Sequence, residues 1–411
     1  MAKKQNQNLV VALDIGTSKI AALVGEVNSD NELEIVGVGT HPSRGLKRGA
    51  VVNIESTVQS IQKAIEEAEH MSGCEIHSAY TGIAGSHIKS FNSHGIVAIR
   101  DREVYQNDVD RVIDAAKAVA IPADQRILHI LPQEFIIDHQ AGVREPVGMA
   151  GVRLEAKVHI VTGAVSAVQN ITKCVRRCGL QISDIILEQL ASSHAVLNED
   201  EKELGVCLVD IGGGTTDIAI FTEGSIRHTS IIPIAGDHVT NDVAVALRTP
   251  TQYAERIKKE FGTILVDELE HDEQIEVPSV AHRSPRHMPR RLLADVITAR
   301  YEELFQLVLA EIRRGGFLDS INAGVVITGG ASQIPGLAVC AEKIFQCSAR
   351  LGVPQQVSGL ADVRNNPSFA TGIGLLLHGY QNQRMGTMGQ SFDSSARGLW
   401  TRMREWFQGN F

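Results

Sequence analysis

The sequence predicts an α/β fold built from two related lobes, and three segments carry that prediction. Leu9-Val-Val-Ala-Leu-Asp14-Ile-Gly16-Thr17-Ser18 and Val206-Cys-Leu-Val-Asp210-Ile-Gly212-Gly213-Gly214-Thr215-Thr216-Asp217 share one design: an apolar run, an aspartate, then glycines and hydroxyl residues. The runs read as buried strands, and the clusters as turns whose backbone N–H groups can face an anion. Asp14 and Asp210 then stand at strand ends, where a carboxylate tolerates a phosphate only with a divalent cation and its waters in between. In the third segment, a strand over 324–328 runs into Gly329-Gly330, where bare backbone can approach a flat ring closely. One such turn is ordinary. Its recurrence in both halves, followed by the glycine pair, points to a nucleotide clamped between lobes.

The remaining elements follow in order. Residues 1–82 read as strand, hairpin, strand and a helix over 54–70 with Val58, Ile61, Ile65 and Ala68 on one face, the start of lobe 1. Residues 83–161 change character: a strand over 94–99, a helix over 107–120 and strands over 127–131 and 134–138 suggest an inserted α+β subdomain without phosphate chemistry. Residues 162–197 return to lobe 1 through a helix over 164–178 and a connecting helix over 186–195. Lobe 2 spans 198–380, with a helix over 251–262 closed by a glycine cap at Gly262 and acidic edge strands or loops over 266–280. A long amphipathic helix covers 292–314, its face built from Leu293, Val296, Ile297, Leu304, Val308, Leu309 and Ile312. Small residues around Gly372 and Gly374 suit a second connecting helix that crosses the first closely.

After Tyr380 the composition turns polar and glycine-bearing, so 381–395 reads as a flexible linker. Both tryptophans of the chain lie in the last sixteen residues, 396–411. At helical spacing Leu399, Trp400, Met403, Trp406 and Phe407 share a face, with Arg402 among the polar positions beside it. An aromatic face bordered by arginines suits an anionic bilayer surface, bound reversibly by one copy and firmly by many. The alternative is a terminal helix docked on its own domain.

Length and charge narrow the classes further. A chain of 411 residues exceeds one ordinary core, and a net charge of −9 argues against nucleic acid as a partner. The basic stretch 283–291 is short and broken by prolines, as a solvated loop would be. Six scattered cysteines without a C-x-x-C pair suggest reduced thiols in an intracellular setting, with Cys174 and Cys178 more suited to core packing than to metal. The polar start leads straight into a strand and no run is long enough to span a bilayer, so membrane contact is expected to be peripheral.

Segments 9–25, 205–221 and 324–337 resemble the phosphate 1, phosphate 2 and adenosine motifs of the actin-like ATPase superfamily. With the insertion, the segment Pro146-Val-Gly-Met149-Ala-Gly151-Val-Arg-Leu-Glu155 and the tethered tail, the chain as a whole resembles the FtsA family of bacterial cell-division proteins. That resemblance implies an ATP-binding protein on the cytoplasmic face of the inner membrane. Such a protein assembles with copies of itself, anchors the FtsZ polymer by its C-terminal tail and helps recruit later division proteins. It further implies that Asp14 and Asp210 hold Mg²⁺ through water, and that Gly16, Thr17, Ser18, Lys19, Gly212, Gly213, Gly214 and Thr215 cradle the phosphates of ATP. Gly329, Gly330 and Ser332 would line the adenosine pocket and Gly236 would add a backbone contact. Glu255 and Lys258 would reach the nucleoside, unless they are simply a surface helical pair.

Glu188 occupies the place of a side chain that positions the attacking water. Glu188-Gln189 stands where many hydrolysing relatives carry Glu-Pro, so ATP binding with slow or regulated turnover is expected. Continuing the stripe of the long helix predicts a hydrophobe at 300, where Arg300 stands with Glu303 one turn on. The pair is either an intrahelical salt bridge or a recognition spot for a short peptide, plausibly the FtsZ tail. An actin-like scaffold of pilus or secretion assembly and a small-molecule kinase of the sugar-kinase class are the alternatives.

Overall fold

The computed structural model describes residues 8–279 and 284–388. Lobe 1 opens with β1 (Leu9–Ile15), β2 (Lys19–Val27) and β3 (Leu33–Pro42), followed by a small hairpin of β4 (Leu46–Lys47) and β5 (Ala50–Val51). Asn53 caps the next helix, α1 (Ile54–Ser72), by accepting from the Ser56 N–H, and β6 (Ser78–Ile83) then returns beside β1.

The inserted subdomain comprises β7 (Lys89–Ala98), α2 (Gln106–Lys117), β8 (Gln125–Ile137), β9 (Gln140–Val143) and β10 (Arg153–Ala164), in sheet order β7-β10-β8-β9. Val109, Val112, Ile113 and Ala116 of α2 give it a core of its own. β8 is one strand where the sequence suggested two. Register shifts against β10 let it pass Pro132 without ending, since a bulge relieves the missing N–H.

Lobe 1 resumes with α3 (Val165–Arg177), β11 (Gln181–Leu187) and α4 (Glu188–Val196). Ile186 and Leu187 belong to the strand, paired with Gly82 and Ile83, so the connecting helix starts at Glu188 and not at 186.

Lobe 2 contains α5 (Glu199–Leu204), β12 (Val206–Ile211), β13 (Thr216–Thr222), β14 (Ser225–Ile232), α6 (Gly236–Leu247), α7 (Thr251–Phe261), β15 (Gln274–Val277), β16 (Arg286–Pro289), α8 (Arg290–Gly315), β17 (Gly324–Thr328), α9 (Leu337–Phe345) and β18 (Ala349–Leu351). The chain then goes back to lobe 1: β19 (Ser358–Gly359) pairs with β3, and α10 (Ala361–Arg364) leads to α11 (Ala370–Met388).

The two lobes repeat one topology. The order β3-β2-β1-β6-β11 in lobe 1 matches β14-β13-β12-β17-β18 in lobe 2, with the first three strands antiparallel and the last two parallel in each. Between the sheets lie α4 and α11, and Leu190, Ala191, Ile373 and Leu376 join residues of both sheets in a shared core. The insertion meets lobe 2 through polar side chains as well as through Leu131 and Val161, which share a buried cluster with Phe221 and Ile226. His159 Nε2 lies 2.9 Å from Thr229 Oγ1, Gln133 donates to the Ile226 carbonyl (2.9 Å), and Ser225 donates to the Gln133 carbonyl (2.9 Å). These contacts cover β14, which would otherwise be an open sheet edge.

Gly262 caps α7 as expected, its N–H donating to the Lys258 carbonyl, and an added Cβ would stand 2.2 Å from that oxygen. Other sequence expectations change. Lobe 2 does not run to 380, because β19 joins the sheet of lobe 1 through β3. The basic stretch is not a solvated loop: β16 pairs with β15, Arg286 donates to the Leu247 and Arg248 carbonyls, and Arg290 to that of Phe261. The stripe of α8 passes through Leu293, Ile297, Tyr301, Leu304, Val308 and Ile312, so its next position after 297 is 301 and Arg300 interrupts nothing. Finally, α11 runs to Met388, well into the expected linker. The tail residues Leu399, Trp400, Arg402, Met403, Trp406 and Phe407 lie outside the described residues. Among the described residues no helix is long and apolar enough to cross a membrane.

Candidate functional site

The two glycine turns face each other across a cleft of about 520 Å³ between the lobes. They approach so closely that a Cβ on Gly213 would stand 1.9 Å from Ser18 Oγ, and one on Gly214 would stand 2.6 Å from Thr17 Oγ1. The second turn is tied to the start of α6, since Gly236 and Asp237 donate their N–H groups to the Gly212 and Gly213 carbonyls at 3.1 and 2.8 Å. That brings a helix N-terminus to the cleft, an arrangement that suits phosphate.

Gly16, Thr17, Ser18, Lys19, Gly212, Gly213, Gly214, Thr215, Gly236, Glu255, Lys258, Gly329 and Gly330 all line the cleft, together with Asp14, Asp210 and Glu188. Gly329 has φ of 90°, and a Cβ there would stand 2.3 Å from Asp210 Oδ1, so this position admits no side chain. Ser332 is not brought to the cleft. It is buried and donates to the Gly329 carbonyl at 2.7 Å, bracing the turn from behind. Glu255 and Lys258 are more than a surface pair: the buried Lys258 Nζ donates to the Gly236 carbonyl (3.1 Å) and Thr240 Oγ1 (2.8 Å) and lies 2.6 Å from Glu255.

Arg300 and Glu303 lie off the cleft. Arg300 pairs with Asp242 of α6 (NH2 to Oδ1, 3.0 Å) and with Glu303 one turn away, so the intrahelical salt bridge exists and a second carboxylate joins it.

Sequence reasoning gave no role to several cleft residues: Asp217, Asp237, Lys259, Tyr301, Ser368 and Thr371. Asp217 had a readable signal. The second hairpin pairs Asp210 directly with Asp217, whereas the first pairs Asp14 with Ala21, so lobe 2 alone presents two facing carboxylates. Ser368 precedes and Thr371 opens the expected second connecting helix, where the sequence marks small residues for packing and no hydroxyl for the cleft. Ser368 accepts from Lys19 Nζ at 2.9 Å, and that ammonium also stands 3.5 Å from the centre of the Phe369 ring.

Charge is concentrated in this cleft and poorly solvated. Burial pushes Asp14 up to about 6, opposed by Lys19 and aided by Asp210. Burial and the charge of Asp210 push Asp217 up to about 8. Burial, then Asp14, Asp217 and Asp210, hold Glu188 well above the usual carboxylate range. Burial also lowers Lys19 to about 8. Asp217 Oδ1 is buried with no hydrogen-bond partner, and such an atom invites a cation or a bound water. Among the described residues no three His, Cys, Asp or Glu side chains form a direct metal cage. The cleft therefore fits a hard divalent cation held by phosphate oxygens and water, with carboxylates around it.

The chain was compared with known proteins. A family model described as "Cell division protein FtsA" matches residues 207–374, and one described as "SHS2 domain inserted in FTSA" matches 85–162. The chain is 63% identical to the cell division protein FtsA of Pseudomonas aeruginosa over 417 aligned positions, covering 100% of both chains. Among solved structures it is similar to a PilM-PilN type IV pilus biogenesis complex, with a TM-score of 0.67 at 16% identity over 90% of this chain and 98% of that one. It is also similar to MreB 5 of Spiroplasma citri bound to AMPPNP, with a TM-score of 0.55 at 15% identity over 93% and 99%. At such identities the structural likeness speaks for the fold alone. The fold is actin-like, with an SHS2 insertion.

Proposed function

This chain belongs to the FtsA family of cell division proteins, and on that footing we propose that it binds ATP with Mg²⁺ between its lobes and works as an assembly switch on the inner membrane. The facing glycine turns carry the proposal. Their contact at Ser18 and Gly213 leaves a cleft lined by backbone N–H groups, by the N-terminus of α6 and by three lysines, Lys19, Lys258 and Lys259. Mg²⁺ would neutralise phosphate charge and order water; Asp14 and Asp210 would hold it through water, with Asp217 beside them. Gly329 and Gly330 would admit the base, while Glu255 and Lys258, fixed by Thr240, would meet the ribose.

Glu188 favours slow turnover. Burial and the charges of Asp14, Asp217 and Asp210 hold its carboxyl well above the usual range, which lowers the share of carboxylate able to take a proton from water. A fluorescent ATP analogue tests the site: Asp14→Asn is expected to weaken Mg²⁺-dependent binding about tenfold or more. Equal binding by Asp14→Asn and the unaltered chain would sink the nucleotide proposal.

The pattern of 396–411 supports a peripheral tether on anionic lipid at the cytoplasmic face, from which the protein would anchor FtsZ, assemble with its own copies and help recruit later division proteins. Sedimentation with anionic liposomes should carry down the full chain but not one ending at Ser395. The FtsZ tail is proposed to dock beside Arg300 and Glu303. Because Arg300 also holds Asp242, Arg300→Gln is a gentler probe than a charge reversal, and it should weaken FtsZ binding while leaving ATP binding intact.

A further inference from the structure

Asp210 is held in an unusual way for a carboxylate at the end of a strand. Its Oδ2 accepts from Ser192 Oγ of α4 at 2.5 Å and from Thr371 Oγ1 of α11 at 3.3 Å, and the two hydroxyls lie 3.0 Å from each other. Its Oδ1 faces the bare backbone of Gly329. Thr371 lines the cleft, whereas Ser192 is fully buried behind it. These hydroxyls come from the two helices that cross between the lobes, where Gly374 of α11 lies so close to α4 that a Cβ would stand 1.7 Å from the Ala191 carbonyl oxygen.

Repulsion in the cleft gives this contact a purpose. Asp217 pairs directly across from Asp210, and Asp14 and Glu188 line the same space, so a free Asp210 carboxylate would rotate away from its neighbours. Two donors on one oxygen prevent that rotation and keep the other oxygen turned to the cleft. The two hydrogen bonds connect Asp210 to both helices, so a cation that draws on its carboxylate also acts on side chains of α4 and α11.

We propose that Ser192 and Thr371 form a hydroxyl clamp that positions Asp210 for the cation and transmits occupancy of the cleft to the α4–α11 crossing. The proposal rests on the Mg²⁺-nucleotide reading of the cleft. Both are positioning residues for a binding step; neither is assigned chemistry of its own.

The test titrates Mg²⁺ into the full chain with a fluorescent ATP analogue. Ser192→Ala and Thr371→Val should each raise the half-saturating Mg²⁺ concentration about tenfold or more, because a charged acceptor loses a donor. Thr371→Ser keeps the hydroxyl and should restore the parent value. Ser193→Ala is the control: Ser193 is equally buried on the same helix but donates to the Leu190 carbonyl, 2.7 Å away, so no change is expected. Hydrogen exchange supplies the second readout. Mg²⁺ and ATP should slow exchange along α11 in the parent and in Thr371→Ser, and should leave it unchanged in Thr371→Val, which is close to isosteric and keeps the test alive if Ser192→Ala does not fold. Parent-like Mg²⁺ dependence in Thr371→Val, or an equal shift in Ser193→Ala, overturns the clamp while the nucleotide site stands. An unaltered chain that takes up no nucleotide at any Mg²⁺ concentration overturns both.

Discussion

Asp217 shows how a single side chain in the cleft can trade stability for ligand response. Its ordinary value is 3.8 and burial beside Asp210 raises it to about 8, so across that window the folded chain keeps a proton that the unfolded chain has lost. More protons bound in the folded state means that stability falls as pH rises. The melting temperature of the ligand-free protein should therefore decline between about pH 5 and pH 8, and Asp217→Asn should flatten the decline and gain about 1 kcal/mol or more at pH 8. Binding a cation expels the same proton, so Mg²⁺ affinity should climb over the same range, as calorimetry in buffers of different ionisation heat would detect. The hairpin residues were legible in the sequence because the few residue types that make such a turn are also those that cradle an anion. Asp217 was legible in principle, through hairpin register. Ser368 and Thr371 were not, since a hydroxyl at the start of a connecting helix becomes part of a site only when the chain folds back on itself. Ser332 differs for a related reason: a polar residue inside a motif can serve the backbone, as its hydroxyl does by donating to the Gly329 carbonyl.

Elements obey the same distinction between pattern and partner. The apolar period located α1, α2, α3 and α8 to within a few residues, because each buries one face on a sheet or a neighbouring helix. It went astray at 300 because a stripe on a straight helix drifts, and the buried position moved on to Tyr301, whose hydroxyl donates to the Ala331 carbonyl at 2.5 Å. It also ends α11 too soon: polarity after Tyr380 suggests a loop, whereas the helix continues to Met388. Small residues on α4 and α11 gave a sounder forecast, and their closeness has a measurable sign. Gly→Ala inside a helix ordinarily stabilises by roughly 1 kcal/mol. Gly374→Ala should instead destabilise by about 1–3 kcal/mol, because the new methyl meets the Ala191 carbonyl and forces the helices apart. A raised melting temperature in Gly374→Ala would contradict the crossing.

At the scale of the molecule, the insertion has a core of its own and is tied to lobe 2 by hydrogen bonds, while its Leu131 and Val161 also join the shared central core, so loosening the hydrogen bonds should free the β14 edge without unfolding the insertion. Replacing His159 and Gln133 together by Ala removes buried hydrogen bonds worth about 1–3 kcal/mol each once a partner is left unsatisfied. Hydrogen exchange should then quicken along β14 and stay slow in α8. Burial pushes His159 down to about 3, so the latch stays neutral in ordinary buffers and should be indifferent to pH between about 5 and 8. The return of the chain to lobe 1 has another consequence, which concerns order of synthesis. Residues 206–351 supply the whole sheet of lobe 2, but lobe 1 takes β19 and α11 from the far end of the chain. The half that is translated first is thus the last to be completed: the sheet of lobe 2 can form while the ribosome is still at work, and the first phosphate turn waits on β1 for a helix that follows every strand of both lobes.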